Sequence, residues 1–117
     1  MILPDGVAKK LVKSISQDDE GLKFELTNPL MNVTIRGMER ISIDENPIDK
    51  KNVILRFENM EKDLGKIEDE GGVKFKVGST VEVVLRGWKI DSGDHTMKFT
   101  ILTKEFGRID MKVPLKI

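Results

Sequence analysis

A chain of 117 residues holding 20 basic and 20 acidic side chains, one histidine, one tryptophan and no tyrosine or cysteine fits one domain, residues 1–117, and is poor in the groups that enzyme sites and sugar-stacking surfaces favour. Without net charge or a basic cluster there is nothing to displace counterions from nucleic acid, and without cysteine there are no disulfides, no thiolate catalysis and no Cys-based metal site. A cytoplasmic chain with no export signal and no membrane span is expected, because residues 1–5 lack a basic and then apolar leader and no apolar run approaches spanning length.

In chain order, residues 6–13 suit a helix, yet the β-branched Val12 and Ile15 with Ser14 and Ser16 favour a strand. Leu22, Phe24 and Leu26 alternate inward until Asn28 and Pro29 break the run. A strand over 31–36 continues through a bulge at Gly37 into 38–44, and Asp44, Glu45, Asn46 and Pro47 form a turn. Val53, Leu55 and Phe57 make the apolar face of the next strand. Residues 59–72 read chiefly as a charged loop with one helical turn at most, and 73–77 as a short strand.

Residues 78–104 dominate the pattern. Val81, Val83 and Leu85 share one face of a first run, and Met97, Phe99 and Ile101 share one face of a second. Asp91, Ser92, Gly93 and Asp94 supply turn chemistry between them, so a long β-hairpin is expected. Ile109, Met111 and Val113 alternate in a closing strand that Pro114 ends or places at an edge. Eight or nine short strands with regular turn signals predict an all-β fold, an antiparallel β-sandwich.

Few groups carry chemistry. Asp91, Asp94 and His95 form the cluster that resembles a metal site, though turn chemistry is the simpler account of it. Glu61, Asp63, Glu68, Asp69 and Glu70 are interspersed with lysines and read as a solvated loop. Asn32, Val33 and Thr34 match the glycosylation pattern incidentally. Trp88, placed outward by alternation, suits a partner contact or a sugar-stacking ring, and Val84 and Leu102 join it on the nominally outward faces as partner-interface candidates.

The frame Gly21, Phe24, Leu26, Pro29, then Gly37 to Asp44 as G-M-E-R-I-S-I-D, then Val53 to Phe57, then Ser92 to Ile101 as S-G-D-H-T-M-K-F-T-I resembles the small β subunit of bacterial C-glycoside deglycosidases. That resemblance implies a β-sandwich without catalytic residues or cofactor of its own, paired with a larger TIM-barrel α subunit. The barrel would carry a divalent metal such as manganese and cleave the carbon–carbon bond of a 3-oxo-C-glycoside, the sugar substrate reaching this chain only through the complex. The segment 27–36 is shorter than the family's loop, and the tail 105–117 reads as an additional strand. A carbohydrate-binding module using Trp88 is the alternative, and a stand-alone enzyme using Asp91, Asp94 and His95 the third reading.

Overall fold

A computed structural model describes residues 5–29 and 31–117. The chain runs α1 (Asp5–Leu11), β1 (Val12–Asp18), β2 (Gly21–Thr27), β3 (Val33–Ile43), β4 (Asn46–Pro47), a 3-10 turn (Lys50–Asn52), β5 (Val53–Phe57), β6 (Met60–Asp63), α2 (Leu64–Asp69), β7 (Val73–Phe75), β8 (Thr80–Arg86), β9 (Asp94–Thr103) and β10 (Gly107–Lys116). Every ladder is antiparallel. One sheet has the order β1-β2-β8-β5-β6, and the other β10-β9-β3-β4, with β7 pairing β3 as well. The fold is therefore an all-β antiparallel sandwich of ten strands in two sheets, accompanied by two short helices.

Alternation fixed which side chains face inward. Leu22, Phe24 and Leu26 of β2, Val81, Val83 and Leu85 of β8, and Val53 and Leu55 of β5 are buried against Met97 and Phe99 of β9 and Met111 and Val113 of β10. These are the apolar inner faces that two stacked sheets require. Phe24 and Phe99 meet across the layers with ring centroids 6.2 Å apart.

Pairing partners depart from expectation. Residues 78–104 do not form a hairpin: β8 pairs β2 and β5 in one sheet, whereas β9 pairs β10 and β3 in the other. Alternation reports a strand's buried face and is silent about its neighbour, and the connection 87–93 is long enough to cross the roughly 10 Å between stacked sheets. It is held in place by Gln17, whose Nε2 donates to Ile90 O at 3.0 Å while its Oε1 accepts from Ile90 N at 3.0 Å. The turn residue Gly93 exchanges two backbone hydrogen bonds with Ile117.

Three further segments are corrected. Residues 6–13 are divided, with α1 ending at Leu11 and β1 starting at Val12. The supposed loop 59–72 contains β6 and α2, because Leu64 and Ile67 stand at helical spacing and are both buried, while the Asp63 carboxylate caps the helix by accepting from Lys66 N at 2.8 Å. Val84 lies on the outer face as expected but is fully buried at 0% exposure. It stands in register between Lys23 and Ile54. The Lys23 side chain, 16% exposed, keeps its stem on the sheet while its head reaches carboxylates. The bulge expected at Gly37 is present as a register shift between Ile35 and Gly37.

Gly21 and Gly93 have similar φ values, +138° and +120°, and very different surroundings. A Cβ at Gly21 would lie 2.2 Å from Leu85 O, whereas one at Gly93 would meet open space. Gly21→Ala is expected to destabilise the fold by roughly 3 kcal/mol or more, and Gly93→Ala by about 1–2 kcal/mol from backbone strain alone. Urea denaturation of the two variants checks this, and equal losses would contradict the steric account.

Candidate functional site

His95 opens β9 facing the β3–β4 turn. Its Nδ1 lies 2.5 Å from Asp44 Oδ2, and its Nε2 lies 2.6 Å from Asp91 O. Both neighbours are acceptors, so the geometry suits an imidazolium donating from both nitrogens. The hydrogen bond to Asp44 and then that to the Asp91 carbonyl raise the His95 pKa above its ordinary 6.5. The Asp44 carboxyl is held below its ordinary 3.8, chiefly by the bond to His95 and next by the Thr96 amide, which donates to Oδ1 at 2.9 Å. Of the residues expected to form a metal cluster, Asp91 reaches His95 through its backbone carbonyl and both imidazole nitrogens are engaged. Among the described residues, no group of three or more His, Cys, Asp or Glu side chains is arranged to hold a metal. Asp44 was missed because it lies 51 residues from its partner and reads, locally, as a turn residue.

The three interface candidates are scattered. Trp88 is half-buried, packs on the core and donates its backbone N–H to Leu85 O at 3.1 Å. Leu102 is half-buried on the outer face of the β10-β9-β3 sheet, in register between Arg108 and Gly37. It lies eight residues along β9 from Asp94, roughly 26 Å from the end where Trp88 enters. Val84 is inaccessible on the opposite sheet.

The outer face of the β2-β8-β5 sheet carries an ion network the sequence did not disclose. Glu25, Glu82, Arg56 and Glu61 form one cross-strand row. Arg56 bonds Glu61 at 3.0 Å, Glu82 at 3.2 Å and the Glu20 carboxylate at the β1–β2 turn. Lys23 adds Asp18 at 2.7 Å and Glu20 at 2.9 Å. The bonds from Arg56 and then Lys23 pull the Glu20 carboxyl down to about 2.

At the end of the sandwich where β3 begins and β9 ends lies a half-open cavity of about 130 Å³. Val33, Ile35, Phe75, Ile101, Ile109 and Met111 line it, with Leu11, Met31 and Phe106 also contributing. Two polar side chains border it, and both are committed. Asn28 Nδ2 donates to Met31 O at 2.7 Å and to Phe75 O at 2.8 Å. Thr103 Oγ1 donates to Gly107 O at 2.9 Å and accepts from Phe106 N at 3.0 Å. Asn28 reads in the sequence only as the residue before a proline, so its bracketing role was invisible.

Two titration experiments follow from the ionic geometry. His95, raised, contributes stability fully below pH 6.5 and loses it as pH climbs through its folded value, whereas Asp44, lowered, contributes fully above pH 3.8 and loses it as pH falls through its folded value. The pair is at full strength between these limits, so thermal melts should show a decline above pH 6.5 that is absent in His95→Gln. An identical decline in the variant would remove His95 as its source. In Arg56→Met, the Glu20 carboxyl should move from about 2 back toward its ordinary 4.5, read by its carbon shift across an NMR pH titration. The stability lost in that variant is present above pH 4.5 and fades as pH falls through about 2, the folded value at which the wild-type Glu20 is half protonated.

Comparison with known proteins corrects the resemblance to the deglycosidase small subunit. The model of the family described as Hydroxymethylglutaryl-CoA reductase, N-terminal domain matches residues 9–117. No curated protein matches the chain. The accessory role in carbon–carbon bond cleavage, the TIM-barrel partner with its sugar substrate and the sugar-binding alternative through Trp88 fall with that resemblance. Its quoted motifs lie in β2, β3, β5 and β9 with the turn before it, and among their apolar members Phe24, Leu26, Met38, Ile41, Ile43, Val53, Leu55, Met97 and Phe99 are core residues. They record what a sandwich of these strand lengths must bury, and Trp88 leans on the core instead of presenting an open stacking ring. The chain belongs to the hydroxymethylglutaryl-CoA reductase N-terminal domain family.

Proposed function

We propose that this chain is a binding and assembly domain that works with a hydroxymethylglutaryl-CoA reductase unit and performs no chemistry of its own. The family match over residues 9–117 carries this reading. The chemistry on the page supports it: the sole histidine is engaged on both nitrogens, which favours a fixed cation over a proton acceptor. The broad ionic face is likewise occupied with its own pairs around Arg56. For the contact with the reductase unit we assign the outer face of the β10-β9-β3 sheet around Leu102, a half-buried apolar side chain between the registers of Arg108 and Gly37.

The test mixes the chain with a hydroxymethylglutaryl-CoA reductase unit and measures association by calorimetry and turnover of hydroxymethylglutaryl-CoA. Association is expected, with no turnover by the chain alone, and Leu102→Asp should weaken binding by about tenfold or more. Turnover by the isolated chain, or no association either as separate chains or in a fusion, would overturn the proposal.

A further inference from the structure

The apolar cavity is independent of the reductase reading. We propose that it is a binding site for one compact apolar group, an aromatic ring or a short branched alkyl group, carried by a small molecule. The first support is volume. The half-open pocket offers about 130 Å³ of free space between apolar side chains. That volume is close to the roughly 150 Å³ at which a dry apolar cavity takes up benzene.

The second support is the chemistry of the wall. The bordering polar side chains, Asn28 and Thr103, already hold backbone partners. Among the described residues, no buried side-chain nitrogen or oxygen lacks a hydrogen-bond partner. A water would find few bonds there, whereas a hydrocarbon group displaces nothing that is held.

The third is the mouth. Met31 and Phe106, 50% and 41% exposed, both border the cavity, and Val77, 52% exposed, is tied beside them by its N–H to Asn32 Oδ1 at 2.9 Å. They make up three of the four large hydrophobic side chains exposed among the described residues, so apolar surface is gathered at this entrance. The frame around it is fixed. Glu105 accepts from Thr34 N at 2.7 Å and Thr34 Oγ1 at 2.9 Å, joining the start of β3 to the β9–β10 turn. A pocket held in this way needs little ordering when it is filled.

The test titrates toluene into the isotopically labelled chain and follows the methyl signals of Val33, Ile35, Ile101 and Ile109 by NMR. Saturable shifts confined to these methyls are expected in the wild-type chain. Ile101→Phe, which fills the cavity with a ring, should weaken toluene binding by about tenfold or more. If that variant does not fold, Val33→Ile, a single methylene larger, should weaken it severalfold. Absence of saturable shifts in the wild-type chain, or equal shifts in the filled variant, would overturn the proposal. So would the same shifts produced by raising the chain's own concentration without toluene, because a second copy would then be the occupant.

Discussion

Phe24 and Phe99 stand face to face between the sheets, tilted by 35°, and are 1% and 2% exposed. Rings of this size span most of the interlayer gap, so each strand beside them must offer an apolar residue at the same level. Phe24 is in register with Val83 and then Leu55 across one sheet, and Phe99 with Met111 in the other. Each such side chain withdrawn from water contributes on the order of 2–3 kcal/mol. The rest of the architecture follows from keeping those faces opposed.

The clearest consequence is in β3. Its buried residues are Ile35, Met38, Ile41 and Ile43, and the steps from 35 to 38 and from 38 to 41 are odd. An unbroken strand would put Met38 on the face opposite to Ile35, Ile41 and Ile43. Two register shifts against β9 restore the inward face, the first between Ile35 and Gly37 and the second between Glu39 and Ser42, where Arg40 adopts φ +53°. Ile35, Met38 and Ile43 therefore meet Thr103, Ile101 and Met97, all on the inner side of β9. The vacated space at the first bulge admits the Glu68 side chain, whose atoms come within 3.0 Å of where a Gly37 Cβ would stand. Core packing, strand irregularity and the seating of α2 thus have one cause.

Local alternation made the inward faces and most strand positions legible, because each depends only on a strand's own period. Strand pairing was not legible. Whether β8 turns back on itself or crosses to the other layer is decided by β2, β3, β5 and β10, which contribute nothing to the spacing within 78–104. The ionic contacts were hidden for the same reason, since Arg56 finds Glu20 across 36 residues and His95 finds Asp44 across 51. The family resemblance failed at a different level. Its residues were read correctly as strands and turns, but positions such as Phe24, Ile43 and Leu55 specify a layer to be packed and say little about what the finished domain serves.

A chain whose charges cancel in number still places them unevenly. Glu25 stands opposite Glu82 in register, an unfavourable like-charged pair on its own. Arg56 offsets it by engaging Glu20, Glu61 and Glu82 with one planar guanidinium, a geometry that a lysine head could not reproduce. Individually such exposed pairs are worth little. Together with Lys23 they lie around the buried Val84 and Ile54, which sit on the outer face outside the main core. Opening that apolar pair to a partner would mean breaking several ion pairs at once. On the other sheet the row of Leu102 holds Arg108, paired with Glu39 at 3.4 Å, and the side-chain-free Gly37, where the Glu68 side chain comes in. The two outer faces therefore differ in what flanks their apolar residues, a guanidinium shared among three carboxylates on one and the Arg108–Glu39 pair on the other.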